Sequence, residues 1–367
     1  MSHIVIDNEI FSMQPFGGIS RYFCETASRI NSTPGWSVTV VAPLHKNEHL
    51  LASGIPTIGW YSKWWRGPLA DLARCANAAI TPHLLARANP QLIHRTYYSA
   101  ARLSYSVPDV ITIHDMIPER FPQLFPSSEL ARSKRLAVNS TDHVICVSKS
   151  TATDLMQYID LPPGKISVIH HGLSRLGDWA ATNKGIKTHD RPYILYVGLR
   201  SMYKNFQGLV RAYAASPRLM RDFDIIAFGG SDFAQQERTF FHEMRIRTDS
   251  IHHRSGGDRS LASYYSGARL FVYPSKYEGF GMPPLEAMDC ECPVACSDTS
   301  SLPEIVGSAG RYFDPNNIHS IRAAVEAVAY DERVRDELIA KGKLRSREFS
   351  WDRSAAETRN VYSQLLG

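Results

Sequence analysis

The segment from Tyr273 to Cys290 reads Tyr-Pro-Ser-Lys-Tyr-Glu-Gly-Phe-Gly-Met-Pro-Pro-Leu-Glu-Ala-Met-Asp-Cys, and it is the most informative part of the chain. The apolar run 270–273 is typical of a buried parallel strand. Pro283 and Pro284 suit the first turn of a helix, where a missing N–H costs little. A strand, a glycine-containing loop and a helix in this order predict an open α/β sheet, in which ligands bind outside the carboxyl ends of the strands.

Two carboxylates flank the loop of this segment. Glu278 lies in the loop and Glu286 in the first helical turn, with seven residues between them. We expect both to face one crevice, beside the amides of 279–282 and the positive end of the helix. Amides and a helix N-terminus suit phosphate, whereas carboxylates suit sugar hydroxyls, so the pattern predicts a site for a phosphorylated sugar. The alternative is a structural role, in which Glu286 only stabilises the helix dipole.

Length and composition limit the possible classes of protein. A chain of 367 residues is longer than one with a single hydrophobic core usually is, so two domains are expected. The hydrophobic content of 44% and charged content of 21% are typical of a soluble globular protein. We expect no transmembrane helix, no signal peptide and reduced cysteines, hence a cytoplasmic location. The net charge of +5 does not predict nucleic-acid binding, but it fits anionic substrates or an anionic membrane surface.

Strands and helices alternate along the chain, which predicts parallel sheets with right-handed crossovers. In the first half, an expected strand at 4–7 leads to Gly17 and Gly18, and a strand at 109–114 ends at His114. A glycine pair before a helix lets phosphate approach, although it is more often only a turn. A histidine at the end of a central strand is well placed for a site, although a lone histidine is usually structural.

The second half begins after an irregular stretch at 173–190, the expected linker. Arg200 and Lys204 follow its first strand, where two cations can bind a diphosphate or can simply be solvated. Asp222-Phe223-Asp224 has the spelling of a metal-binding Asp-x-Asp motif, but its apolar strand follows the motif instead of preceding it. We therefore expect no metal cofactor, with cations and helix amides in its place.

The segment 278–286, Glu-Gly-Phe-Gly-Met-Pro-Pro-Leu-Glu, resembles the Glu-x7-Glu motif of the family 4 retaining glycosyltransferases, and the resemblance covers nearly the whole chain. It implies the GT-B fold, an α/β fold in which two Rossmann-like domains face a central cleft and a C-terminal helix crosses back to the N-terminal domain. The implied domains are an acceptor-binding domain at 1–175, a nucleotide-sugar-binding domain at 190–350 and the returning helix at 351–367.

The resemblance also implies roles for individual residues. Arg200 and Lys204 bind the donor phosphates, and His114 lies near the donor hexose and the reaction centre. Glu286 holds the ribose hydroxyls and Glu278 holds the sugar. The implied catalytic set is His114, Glu278, Arg200 and Lys204. The other implied donor-binding residues are Gly17, Gly18, Ser255, Gly256, Gly279, Phe280, Gly281 and Met282.

Three further segments, at 16–22, 112–118 and 196–206, resemble bacterial mannosyltransferases of O-antigen and polysaccharide assembly. They read Phe-Gly-Gly-Ile-Ser-Arg-Tyr, Thr-Ile-His-Asp-Met-Ile-Pro and Tyr-Val-Gly-Leu-Arg-Ser-Met-Tyr-Lys-Asn-Phe. The implied reaction transfers mannose from GDP-mannose to a glycan or polyprenyl-linked glycan at the cytoplasmic face of the inner membrane. A UDP-hexose or deoxyhexose donor, and a non-catalytic glycan- or lipid-binding scaffold of the same fold, are the alternatives.

An irregular connection is expected at 43–67. It carries three tryptophans, Trp60, Trp64 and Trp65, with Lys63 and Arg66 close to them in the sequence. Tryptophans beside cations suit a membrane interface. They suit packing under a loop equally well, so the sequence leaves both interpretations open.

Overall fold

The computed structural model describes residues 1–65, 67–98, 107–125, 129–182, 188–200 and 202–367. The chain divides into two compact units. Unit 1 comprises Met1–Gly172 and Ser350–Gly367, and unit 2 comprises Leu173–Phe349. Each unit contains one parallel sheet, so the predicted fold class, with two Rossmann-like α/β domains, is confirmed.

Unit 1 contains a seven-stranded sheet in which paired neighbours are parallel. Its strands are β1 (Ser2–Ile6), β2 (Trp36–His45), β3 (Thr57–Tyr61), β4 (Leu92–Arg95), β5 (Asp109–Ile113), β6 (His143–Cys146) and β7 (Ile166–Val168). They lie in the order β3-β2-β1-β4-β5-β6-β7. The order reverses between β1 and β4, which is where doubly wound sheets bind ligands.

Unit 2 contains a six-stranded parallel sheet. Its strands are β8 (Tyr193–Val197), β9 (Asp224–Phe228), β10 (Ile251–Arg254), β11 (Leu270–Tyr273), β12 (Val294–Ser297) and β13 (Gly310–Phe313). They lie in the order β10-β9-β8-β11-β12-β13, so the order reverses between β8 and β11. Every residue of β8, β9 and β11 is buried, as their apolar runs predict, and in β9 the charged Asp224 at the start of the strand is buried as well.

The helices precede, follow and connect these strands. In chain order they are α1 (Glu9–Met13), α2 (Gly18–Asn31), α3 (Glu48–Ser53), α4 (Pro68–Arg87), α5 (Ile117–Arg120), α6 (Glu129–Ser140), α7 (Lys149–Tyr158), α8 (Gly177–Thr182), α9 (Phe206–Ala214), α10 (Pro217–Asp222), α11 (Gln235–Glu243), α12 (Asp258–Gly267), α13 (Met282–Asp289), α14 (Leu302–Val306), α15 (Ile318–Tyr330), α16 (Glu332–Ser346) and α17 (Trp351–Leu366). Among the described helices, none combines the length and apolar composition that crossing a membrane requires.

The C-terminal helix α17 belongs to unit 1 and packs against α2. The Tyr362 hydroxyl forms a hydrogen bond of 2.6 Å with His94 Nδ1 at the end of β4. Arg29 of α2 forms an ion pair of 2.7 Å with Asp352. The predicted return of the C-terminal helix to the N-terminal domain is therefore confirmed.

Two expected irregular stretches contain regular structure. The stretch 43–67 contains α3 and the edge strand β3, and Arg66 lies outside the described residues. A Cβ at Gly59 would lie only 1.7 Å from the Ala42 carbonyl oxygen, so the close approach of β3 to β2 requires glycine. The expected linker at 173–190 contains α8, which contacts α12 within unit 2.

Candidate active site

The segment 273–290 lies where the strand order of unit 2 reverses. β11 ends at Tyr273, and the loop that follows it leads into α13, whose first turn holds Pro283. Gly281 precedes the helix with a φ of +109°, a conformation that favours glycine. A Cβ there would also lie 2.9 Å from Leu302 Cδ2. At Gly281, the loop therefore has a backbone conformation that residues other than glycine adopt only with strain.

Lys204 and Glu278 form a close ion pair at this edge of the sheet. The Lys204 Nζ atom lies 2.7 Å from Oε1 and 2.9 Å from Oε2 of Glu278, and 3.2 Å from the Tyr273 hydroxyl. The side chains are 17% and 9% exposed. Burial opposes the charge on Lys204, but the Glu278 carboxylate together with Tyr273 and Tyr203 outweighs burial and raises the pKa of Lys204 well above its ordinary value. The ammonium is therefore a fixed positive charge.

Two serines support the Glu278 loop. The Ser300 hydroxyl accepts a hydrogen bond of 2.9 Å from the Glu278 amide. The Ser301 hydroxyl donates to the carbonyls of Glu278 and Phe280, at 2.9 and 2.7 Å. The sequence pattern does not by itself predict these serines as supports. Their only signal in the sequence is the run of hydroxyl residues 299–301 before α14.

Glu286 is the fifth residue of α13 and is buried, so its expected place in the first helical turn is wrong, because the helix begins at Met282. The Tyr265 hydroxyl of α12 donates a hydrogen bond of 3.2 Å to its Oε2 atom. Burial, and then the Glu286 charge, raise the pKa of Tyr265 well above its ordinary value. Tyr265 therefore remains a protonated donor that orients the carboxylate.

Arg200 is held by a different loop from the one that holds Lys204. Its Nε atom lies 2.6 Å from Glu237 Oε1, and its Nη2 atom lies 2.7 Å from the Ser231 carbonyl oxygen. Its guanidinium also lies 4.7 Å from the centre of the Phe233 ring, and its side chain is only 7% exposed. A diphosphate would reach this guanidinium only by displacing some of these groups.

The other donor-binding candidates of unit 2 lie in two loops. Ser255 and Gly256 directly follow β10 and are exposed. Gly279 and Phe280 are buried, and the Phe280 ring packs at 5.9 Å from the Phe349 ring. Met282 is the first residue of α13. Both loops follow the carboxyl ends of strands in the same parallel sheet, which is the edge where such sheets bind ligands.

The candidates of unit 1 are His114, Gly17 and Gly18. The buried His114 follows β5, and neither of its ring nitrogens has a hydrogen-bond partner among the described residues. Its ring lies 5.5 Å from that of Tyr22 on α2, the helix that begins at Gly18. A Cβ at Gly18 would meet nothing within 4 Å, whereas one at Gly17 would meet the side chain of Gln14. The structure thus brings His114 and α2 together.

The electrostatic surroundings keep the His114 imidazole neutral. Burial, followed by the neighbouring His171, lowers the pKa of His114 well below its ordinary value. A buried imidazole that lacks hydrogen bonds carries a free-energy cost, and such costs concentrate at functional sites. A neutral ring can donate one hydrogen bond and accept another, which suits a hydroxyl group.

Known proteins match both halves of the chain. The model of glycosyltransferase family 4 matches residues 16–175, and that of glycosyl transferases group 1 matches residues 178–345. O-antigen chain mannosyltransferase B of Escherichia coli is 30% identical over 269 residues, which cover 70% of each protein. The serotype-specific mannosyltransferase WbdA of Escherichia coli is 27% identical over 294 residues. That match covers 74% of this chain but only 36% of WbdA.

Solved structures match the whole fold. Sucrose-phosphate synthase from Thermosynechococcus elongatus superposes with a TM-score of 0.80 at 20% identity, covering 100% of this chain and 99% of that one. HepE of Anabaena in complex with UDP-glucose gives a TM-score of 0.78 at 18% identity, covering 99% and 100%. These identities show the fold alone. The sequence matches show more, and the chain belongs to glycosyltransferase family 4.

Proposed function

We propose that this glycosyltransferase transfers a mannosyl unit from GDP-mannose, with retention of configuration, to a hydroxyl of a polyprenyl-linked glycan. The reaction serves the assembly of a bacterial surface polysaccharide on the cytoplasmic side of the membrane. The relatives named above support mannose as the sugar, because both are mannosyltransferases. The observation that carries the proposal is the Lys204–Glu278 pair at the carboxyl ends of β8 and β11.

The donor binds to unit 2 in this proposal. Lys204 and the N-terminus of α13 stabilise the negative charge that develops on the leaving diphosphate. Each oxygen of Glu278 can accept more than one hydrogen bond, so this carboxylate can hold sugar hydroxyls as well as Lys204. Glu286 binds the ribose hydroxyls, and the amides of 279–282 bind the sugar. The leaving phosphate oxygen accepts the proton of the attacking hydroxyl, and the reaction requires no metal cofactor.

Unit 1 binds the acceptor in this proposal. Because the His114 imidazole is neutral, it contributes hydrogen bonds to a sugar hydroxyl and supplies no positive charge. Gly17 and Gly18 leave the start of α2 accessible to a polar ligand, since a glycine at this position allows close backbone approach. His114→Ala is expected to reduce transfer without reducing nucleotide binding, because nucleotide binding is assigned to unit 2.

Thermal unfolding with EDTA tests the donor assignment. A ligand at about 100 times its Kd stabilises a protein by roughly 2.7 kcal/mol. We expect GDP and GDP-mannose to raise Tm, and UDP and UDP-glucose to leave it unchanged. A shift with uridine nucleotides alone would keep the glycosyltransferase and exclude GDP-mannose. No shift with any nucleotide would favour the non-catalytic scaffold.

The role of Arg200 is tested through its partner. If Arg200 leaves Glu237 to bind the diphosphate, Glu237→Gln weakens the competing contact and raises donor affinity. Glu243→Gln, at an exposed position in the same helix, serves as the control. Unchanged donor affinity together with a lower Tm in Glu237→Gln would assign Arg200 a purely structural role.

We further propose that unit 1 contacts the membrane that carries the acceptor. Trp60 and Trp64 are 75% and 71% exposed, so packing under a loop is the wrong interpretation for these two side chains. On α4, the exposed Leu69, Leu72 and Ile80 recur at helical spacing. Exposed tryptophan and leucine side chains are typical of interfacial membrane contacts.

Vesicle co-sedimentation tests the membrane contact. With vesicles of anionic phospholipid, we expect binding that Trp60→Ser combined with Trp64→Ser weakens at least tenfold. Leu344→Ser removes an apolar side chain of unit 2 that is 65% exposed, and this variant serves as the control. Equal binding of the tryptophan variant and wild type would exclude this surface.

A further inference from the structure

Three potential metal ligands meet at the amino edge of the unit 2 sheet. Asp224 is the first residue of β9, His252 is the second residue of β10, and His189 precedes β8. The Lys204–Glu278 pair follows the carboxyl ends of β8 and β11. A strand of five residues at about 3.3 Å per residue spans roughly 15 Å, so the two clusters lie at opposite edges of one sheet.

The three side chains converge on one carboxylate oxygen. His189 Nε2 lies 2.8 Å from Asp224 Oδ2, and His252 Nε2 lies 3.4 Å from the same oxygen. The potential ligand atoms all lie within 4.8 Å of one another. Tetrahedral zinc with bonds of about 2.0–2.1 Å separates its ligand atoms by about 3.3 Å. Small side-chain rotations therefore suffice to surround an ion.

Two features of the cluster point to a ligand. The buried His252 Nε2 atom makes no hydrogen bond in the described part of the chain, and such atoms carry a free-energy cost. Asp224 is only 2% exposed, and the arginine that pairs with it contacts Oδ1, so Oδ2 is the atom that faces the two imidazoles. A cation at this point would bind both the unpartnered nitrogen and the buried carboxylate oxygen.

The other oxygen of Asp224 is already engaged. Arg191 Nε donates to Asp224 Oδ1 at 3.0 Å, and Arg247 Nη2 lies 3.9 Å from the same atom. Hydrogen bonds of this kind orient ligating carboxylates and leave the second oxygen for the ion. The two arginines also add positive charge, so we expect weaker binding than at a site with four cysteine or histidine ligands.

We propose that His189, Asp224 and His252 bind one divalent transition-metal ion of the zinc class, with water completing the coordination. Two imidazole nitrogens and one carboxylate oxygen suit zinc or cobalt better than magnesium or calcium, which favour all-oxygen sites. The ion ties the chain before β8 to the adjoining strands β9 and β10. Its role is structural, since it lies away from the Lys204–Glu278 pair.

Metal titration of the 367-residue chain tests the proposal. After removal of metals with EDTA and then of EDTA by dialysis, we expect one Zn²⁺ per chain by calorimetry and a higher Tm with Zn²⁺. We also expect Co²⁺ to give the visible absorption of a tetrahedral site. His252→Gln is expected to lower the affinity at least tenfold. His253→Gln is the control, because this neighbour in β10 points to the opposite face of the sheet.

The second variant, His189→Gln, is expected to lower the affinity in the same way. We avoid Asp224→Asn, because it also disturbs the contact with Arg191. Absence of Zn²⁺ binding by the wild-type chain would overturn the proposal. Equal affinity of wild type and His252→Gln would overturn it as well, because the metal would then lie elsewhere.

Discussion

Replacing Lys204 by methionine removes the ammonium that lies 2.7 Å from Glu278 and keeps a side chain of comparable length. If this charge stabilises the leaving diphosphate, its loss costs about 10²–10³ in rate, equivalent to about 2.7–4 kcal/mol. Initial rates of sugar transfer measure the effect. The loss is expected mainly in kcat, because the negative charge on the diphosphate grows in the transition state.

The same substitution also affects stability. It leaves the buried carboxylate of Glu278 without its cation, and breaking a buried pair costs about 3–5 kcal/mol. Because Lys204 is 17% exposed, we expect the lower end, about 3 kcal/mol. For a domain of this size, that is a fall in Tm of roughly 6–12 °C.

A double variant separates the two effects. Lys204→Met combined with Glu278→Gln replaces the ion pair by two neutral groups, so most of the lost Tm is expected to return. The transfer rate is expected to stay low, because the positive charge is still missing. A Lys204→Met enzyme with wild-type kcat would refute the reasoning. Recovery of activity in the double variant would show that Lys204 serves only to balance Glu278.

Three other changes test the site and the fold. Glu286→Gln is expected to lower donor affinity at least tenfold, which is measured as a smaller rise in Tm on addition of nucleotide. The Tm of the unliganded protein is expected to stay the same. Gly281→Ala is expected to cost about 1–2 kcal/mol in urea unfolding, because its φ is +109°, whereas Gly18→Ala meets open space and costs little. Burial lowers the pKa of His94 and of His171 to about 3, so below pH 6.5 the unfolded state binds more protons. The contribution of the two neutral histidines to the free energy of unfolding is complete above pH 6.5. It falls by about 1.4 kcal/mol per pH unit for each histidine as the pH drops towards 3. A free energy of unfolding that stays constant between pH 7 and 5 would contradict this sign.

The sequence predicts the central strands and the 273–290 loop well. β8 and β11 are buried along their whole length and read as continuous apolar runs, and β9 does so after its first residue, Asp224, which is a strong signal. Gly281 and Pro283 are equally informative, since each marks a backbone conformation or position that few other residues tolerate. These features depend on residues that are close together in the sequence, so the sequence predicts them.

The edge strand β3 is not readable in the same way. It lies at the edge of the described sheet, next to β2, and its middle residues are exposed. Gly59 interrupts its hydrophobic residues, Ile58, Trp60 and Tyr61, so the sequence shows only a short, broken apolar run. In the sequence, Gly59 indicates a loop. In the structure, glycine is required there because β3 approaches the Ala42 carbonyl oxygen closely. Exposed edge strands are defined by pairing with a distant segment, and one sequence does not reveal that pairing.

The charge balance of the site could not be predicted either. Arg200 and Lys204 are four residues apart, yet Arg200 pairs with Glu237 and Lys204 pairs with Glu278. Both cations therefore carry a carboxylate partner in this structure. A diphosphate is fully attracted to Arg200 or Lys204 only when that cation separates from its carboxylate partner. Sugar hydroxyls that engage Glu278 would weaken its hold on Lys204, so the sugar and the diphosphate of one donor are expected to assist each other's binding, with GDP-mannose raising Tm more than GDP.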